Sequence, residues 1–409
     1  MRTKLSKVIL TGFVIGFFAL SVSAQNWEQW RGTNRDGKVR GFTAPEEWPQ
    51  ELTKKWSSDV GLGDSTPAFV DEKLYVFVSV DNEEMIICLD AASGKVLWKD
   101  IYKAQAVTGP ASRHPGPRSS PAAGNGKVVT IGVGGVISCL EAETGKLLWR
   151  KDPFPKIVPQ YFTAMSPLIV DGMAIAHLGG QGNGAVIAYD LTSGDSKWQW
   201  SGEAPQYGSP SLLTVAGTKQ IATLTEKSLI GLELTSGKML WQISFVPGQR
   251  AYNAATPIID GDTVFYTGAG RGTFAVKIKK EGDGFKTEEI WSNPDCGVQY
   301  NTPVHKDGHL YGLTSRGNFF CINSQNGETA WLDSTPIDRS GFTSLVDVGT
   351  VFLALPSGTG LIVIKPSTEK YTELARIKVS ESPIYAHPVV VGNRIFIKDA
   401  NTLTLWTLN

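Results

Sequence analysis

The stretch Glu141-Ala142-Glu143-Thr144-Gly145-Lys146-Leu147-Leu148-Trp149 decides the fold, because it recurs. It returns as Asp90-Ala91-Ala92-Ser93-Gly94-Lys95-Val96-Leu97-Trp98, again over residues 190–198 and 233–241, and in a worn copy over 323–331. In each, an acidic or amide residue sits four positions before a glycine and a tryptophan four after it. The Ser/Thr/Asn-Gly pair turns the chain, since glycine enters φ > 0 without a Cβ clash. The phrase therefore reads as a β-hairpin with a tryptophan on its second strand. Docked on a neighbour, such a ring buries about 150–250 Å². One hairpin cannot bury that face alone, so the units are expected to stack.

A second phrase marks the start of each unit: usually a hydroxyl residue, then proline, then a short apolar run. The prolines are Pro67, Pro121, Pro167, Pro210, Pro257, Pro303 and Pro388, and Ser344-Leu345 holds the remaining place. Eight starts spaced by roughly 46 residues match four-stranded propeller blades. In the first unit the strands A to D read as 67–70, 74–79, 85–90 and 95–99. The last unit ends after its third strand, 402–408, whereas 52–56 reads as an orphan strand D. Pairing of the two would close the ring and remove both free edges. The predicted fold is thus all-β, an eight-bladed β-propeller of four-stranded antiparallel blades over residues 51–409. Trp56, Trp98, Trp149, Trp198, Trp241, Trp291 and Trp331 fill seven of eight docking positions. Blade seven lacks one and is expected to be the loosest junction.

The glycine-to-tryptophan phrase resembles the tryptophan-docking motif of PQQ-like (pyrroloquinoline-quinone-like) β-propeller repeats. Such repeats occur in quinoprotein alcohol dehydrogenases and in the outer-membrane assembly factor BamB. The resemblance covers about residues 54–409 and specifies fold more than function, since sites are grafted onto folds. For the dehydrogenases it implies PQQ held between a tryptophan and a disulfide of adjacent cysteines, with Ca²⁺ and a catalytic aspartate alongside. This chain has no Cys-Cys pair, no Cys-x-x-Cys-His and no aspartate that aligns with the catalytic one. Asp64, Asp81 and Asn82 offer oxygens but form no recognisable calcium loop. The expectation is no catalytic residue, no metal and no cofactor, with PQQ and Ca²⁺ as the alternative.

Residues 1–24 read as a signal peptide. Arg2, Lys4 and Lys7 precede an apolar run over 8–22, and Val22-Ser23-Ala24 suits cleavage before Gln25. The run is short for a membrane span, and no later stretch resembles one. No cysteine follows the cleavage point, so the lipid anchor that BamB proteins carry is not expected. The implied location is periplasmic or extracellular. Lys+Arg and Asp+Glu both number 39, and removing the leader leaves a slightly acidic chain. That balance argues against a nucleic-acid footprint. Cys88, Cys139 and Cys321 hold equivalent places in separate blades and are expected to be buried and unpaired. Cys296 reads as a loop residue and a candidate free thiol. Residues 25–50 carry Trp27, Trp30-Arg31-Gly32, Arg35-Asp36-Gly37 and Trp48-Pro49. This segment is expected to pack across a face or the side of the propeller. The alternative is that its tryptophans bind sugar or quinone.

In a propeller the D–A and B–C loops share one face around the channel mouth, where loops vary on a rigid scaffold. The candidates there are Arg113, His114 and Arg118 for blade two, Gln160 and Tyr161 for blade three, and Gln206 and Tyr207 for blade four. Arg250 and Tyr252 serve blade five, Gln299 and Tyr300 blade six, Arg339 and Phe342 blade seven, and Tyr385 and His387 blade eight. Arg271 and Arg316 lie in B–C loops. Together they would form an aromatic ring with amides and guanidinium groups, suited to an anionic ligand or an acidic partner segment. The competing reading is that the repeated tyrosines only plug the channel. His305 and His309 flank a turn, so helical metal spacing does not apply to them. Gly268–Thr273 resembles a phosphate loop in letters only, because a strand follows it. The expected function is a non-catalytic, monomeric scaffold or ligand-binding module in the cell envelope, BamB-like by resemblance, with a protein partner or small ligand. The alternatives are a PQQ-dependent dehydrogenase and a carbohydrate-binding propeller.

Overall fold

In the first unit Ala68–Val70, Lys73–Val80, Glu83–Asp90 and Val96–Lys103 pair in sequence order as strands A to D. They belong to a computed structural model that describes residues 25–408; the expected leader lies outside these. Eight four-stranded antiparallel sheets repeat the order among the described residues. Strands B and C are buried on both faces, as in Lys73–Val80 and Glu83–Asp90, because each blade is sandwiched between two others. Strand D, as in Val96–Lys103, alternates between exposed and half-buried at the rim. Thr53–Asp59 pairs antiparallel with Thr402–Thr407 and completes the eighth blade.

The tryptophan phrase works between blades. The Trp98 indole donates to Ala142 O at 3.0 Å in the C–D turn of blade two. Its ring occupies the space where a Cβ on Gly145 would come within 2.5 Å. Trp56, Trp149, Trp198 and Trp291 repeat this on Ala91, Leu191, Leu234 and Ser324, under Gly94, Gly194, Gly237 and Gly327. Trp331 donates to Ser367 O. Trp241 departs from the pattern and donates to Gln220 Oε1 of its own blade at 2.7 Å. In blade five Gly272–Glu281 and Gly284–Asn293 run on as a long hairpin, so its C–D turn at Gly282-Asp283 lies beyond the place where the other tryptophans dock.

The hydroxyl-proline phrase also has a cause. The hydroxyls of blades one to six each accept a backbone N–H from the preceding blade, so these blades are stitched around the axis. Thr66, Ser120, Ser166, Ser209 and Thr256 donate their N–H groups to Ser120, Ser166, Ser209, Thr256 and Thr302 oxygens in turn. His387 N donates to Thr66 Oγ1 and joins blade eight to blade one, while at blade seven Ser344 Oγ donates instead to Ala386 O.

Residues 25–50 reach the axis. Trp27 bridges to Phe69, and Val39 N donates to Asp347 O. Between these points Arg31 donates to Thr302 O and Pro303 O at 2.8 and 2.9 Å. Arg35 donates to Pro210 O at 2.9 Å and to Pro167 O. Both arginines are buried, and burial pushes their guanidinium groups down to about 10 and about 9. The segment therefore plugs the channel rather than lying only on a face. Blades seven, eight and one share one apolar cluster, and Phe42 and Trp48 pack against it.

Candidate functional site

Every D–A loop sends one residue toward the open end of the channel. Asp64, His114, Tyr161, Tyr207, Tyr252, Tyr300, Phe342 and Tyr385 come from blades one to eight in order, and all line one cavity of about 360 Å³. Trp30 forms its floor; its indole donates to Thr256 Oγ1 at 2.9 Å, and its ring meets His387 edge-on at 4.6 Å. Small residues, Ala164, Ser166, Ser209 and Ala254, leave the space open beneath the rings.

The rings support one another. Tyr252 OH donates to Tyr161 OH at 2.9 Å, and Tyr161 N donates to Tyr207 OH at 3.0 Å. Tyr252 packs edge-on against Tyr161 and Tyr207 at 5.1 and 5.7 Å. Tyr300 and Phe342 stack at 4.0 Å, and Phe342 meets Tyr385 edge-on at 5.3 Å. Such contacts preorganise an aromatic wall. Burial raises the Tyr207 phenol to about 12 and lifts Tyr252 and Tyr300, so these hydroxyls stay neutral.

Two charged groups reach this cup, both already engaged. Arg118 donates to Tyr161 O at 2.9 Å, and to Ala111 O and His114 O at 3.1 and 2.8 Å. Burial holds its guanidinium below the usual range. Asp64 Oδ2 lies 2.7 Å from His114 Nδ1. The arrangement can take an apolar or aromatic group against its rings; its ionic groups position loops.

The structure gathers His114, Arg118, Tyr161, Tyr207, Tyr252, Tyr300, Phe342 and Tyr385 of the expected residues at the cup. The others stand elsewhere. Arg113, Gln160, Arg250 and Arg316 are exposed outside it. Arg271 stacks on the Phe245 ring at 3.7 Å and donates to Phe245 O, because its B–C loop faces the neighbouring blade. Gln299 donates to Tyr300 OH, Gln206 is half-buried behind the wall, and Arg339 lies in an adjoining cleft. His387 is buried beside Trp30, and burial drives its imidazole well below the usual range. From sequence Asp64 stands only as a candidate calcium oxygen, and Trp30 only among the tryptophans that are the alternative sugar or quinone binders; neither is expected as part of the mouth ring. The compact Trp-Arg-Gly phrase at residues 30–32 is the signal for Trp30, and the place of Asp64 just before strand A of blade one is the signal for Asp64.

Residues 82–332 match the model of the family described as outer membrane protein assembly factor BamB. The chain belongs to this family. It is 21% identical over 368 residues to the outer membrane protein assembly factor BamB of Shewanella oneidensis, covering 84% of this chain and 85% of that protein. A stretch of 164 residues is 30% identical to quinohemoprotein alcohol dehydrogenase ADH IIB of Pseudomonas putida, covering 38% of this chain and 23% of that one. Among solved structures, BamB from Moraxella catarrhalis is similar with a TM-score of 0.63 at 14% identity, over 87% of this chain and 100% of the other. Quinohemoprotein alcohol dehydrogenase from Comamonas testosteroni gives 0.69 at 14% identity, over 93% and 80%. These structural likenesses establish the fold alone.

The residues of this BamB-family propeller do not fit the PQQ site that the dehydrogenase resemblance implies. Cys88, Cys139, Cys296 and Cys321 are buried, unpaired and in separate places. Cys296 is a free thiol in a loop, as expected, and a buried one; burial raises all four thiols, Cys88 to about 12 and Cys296 to about 11. The cup presents one carboxylate, Asp64, bound to His114, where a calcium ion needs six or more oxygens. Among the described residues, none cluster as a metal-binding set of His, Cys, Asp or Glu. No described helix is long and apolar enough to cross a membrane.

Proposed function

We propose that the protein is a non-catalytic docking disc of the cell envelope that receives a partner protein at the D–A face. One observation carries this reading: the channel is plugged at one end by Trp30, Arg31 and Arg35, and the other end is a preformed aromatic cup. A rigid cup costs little ordering entropy on binding and anchors an inserted side chain well. The loops around it add exposed apolar residues, Leu62, Ile157, Val246 and Tyr300. Apolar loops rimmed by polar residues are typical of interaction sites. The assembly-factor names of the relatives agree with a partner-binding role and an envelope location.

The test compares surface charges placed on the two kinds of exposed position. Tyr300→Glu with Val246→Glu should abolish co-purification of the partner from envelope extracts. Leu374→Glu with Val96→Glu on the outer rim should leave it intact. The opposite pattern would refute docking at the D–A face.

A further inference from the structure

Beside the cup, across Tyr385, lies a second cleft of about 780 Å³ on blade seven. Tyr385 lines both spaces. Its ring is held edge-on by Phe342 and by His114, the latter at 4.7 Å, so it is a fixed partition rather than a loose side chain. The cleft is cationic. Arg376 and Lys378 stand two apart on strand D, Glu373–Lys378, and so share a face. Arg339 enters from the D–A loop, exposed and without a side-chain bond among the described residues.

The nearby acids do not close this cleft. Asp338 accepts from Ser340 N and Oγ and from Ser357 N and Oγ at 2.6–2.8 Å, so its oxygens are used in shaping the loops. Glu373 pairs with Arg376 at 2.8 Å and Glu381 with Lys378 at 2.7 Å. Neither glutamate lines the cleft, and exposed ion pairs are weak enough to exchange partners. Arg339, Arg376 and Lys378 therefore face incoming carboxylates.

We infer that cup and cleft form one track for an extended acidic peptide of the partner, with an aromatic side chain in the cup and carboxylates in the cleft. The inference rests on the docking reading above and names the chemistry of the docked segment. Apolar rings flanked by guanidinium groups match that pairing of side chains. An extended chain advances about 3.3 Å per residue, so crossing one ring places the acids about two to four residues from the aromatic. A carbohydrate suits the track less, because the Tyr252 hydroxyl is given to Tyr161, the Tyr207 hydroxyl takes the Tyr161 N–H, and the Arg118 guanidinium is held by carbonyls.

The test uses the whole protein and three fluorescein-labelled peptides. The first is Gly-Ser-Trp-Ser-Glu-Asp-Glu-Ser-Gly, with its acids two to four residues after Trp; the second replaces its acids by Lys, and the third replaces Trp by Ser. By fluorescence anisotropy, the first should bind about tenfold tighter than either of the others. Arg339→Glu should remove the preference over the Lys peptide, and raised salt should narrow it. Equal binding of acidic and Lys peptides, or no binding of either, would overturn the inference. So would an Arg339→Glu protein that keeps the preference. Partner co-purification in the same variant separates the two claims: retention there, with loss in Tyr300→Glu and Val246→Glu, leaves docking standing and removes the acidic track alone.

Discussion

Gly145→Ala should be far more damaging than Gly126→Ala, although both glycines hold nearly the same backbone. Their φ values are +73° and +71°, so the left-handed penalty for alanine, about 1–2 kcal/mol, is common to both. Their surroundings differ. Nothing lies within 4 Å of a Cβ on Gly126, whereas one on Gly145 meets the Trp98 ring at 2.5 Å. That ring must move about an ångström, which costs roughly 1–3 kcal/mol of overpacking. The bond from Trp98 Nε1 to Ala142 O, 3.0 Å long, would be strained or lost, at about 1 kcal/mol more. The expected excess of Gly145→Ala over Gly126→Ala is therefore about 2–4 kcal/mol. Equilibrium urea unfolding, followed by far-UV circular dichroism, measures it. In a Trp98→Leu background the excess should largely vanish, because the clashing ring is gone. Equal destabilisation by the two alanines, or an excess unchanged without Trp98, would refute interblade docking as the purpose of the repeated phrase.

Arg35→Met should cost about 3–5 kcal/mol, since it leaves Pro167 O and Pro210 O buried without their donor; thermal melting of the variant checks this. His177 is buried, and desolvation lowers its imidazole to about 4, with Nε2 2.9 Å from Glu203 O. The unfolded chain, titrating near 6.5, then binds the proton first, so stability is full above about 6.5 and falls as pH drops toward 4, by about 3 kcal/mol at most. Urea midpoints across that window should fall less steeply in His177→Gln. Titration with PQQ and Ca²⁺ should leave tryptophan fluorescence unchanged; saturable quenching, lost in Tyr207→Ala, would reinstate the cofactor.

The propeller was legible because its determinants are local and repeated. A glycine forced to φ > 0 and a tryptophan four residues on are both visible in nine residues, as is the hydroxyl before each proline. The same repetition exposed the cup, since a tyrosine recurs just before strand A in blades three to six. What failed to read out depends on distant partners. Arg31 and Arg35 look like surface residues until carbonyls from Thr302, Pro303, Pro167 and Pro210 surround them. Arg271 lies in a mouth loop, yet the ring of Phe245 captures it. Trp241 kept its phrase but lost its target turn, because the irregularity sits in the next blade. Blade seven lacks a docking tryptophan, and the N-terminal segment packs on the cluster it shares with its neighbours.

The docking claim is tested most directly by photo-crosslinking around the disc, with a benzophenone side chain placed singly at Tyr300, Val246, Val96 and Leu374. Docking at the D–A face requires one and the same adduct from Tyr300 and Val246, and none from the rim positions Val96 and Leu374. An adduct formed from the rim and absent at the mouth would contradict it.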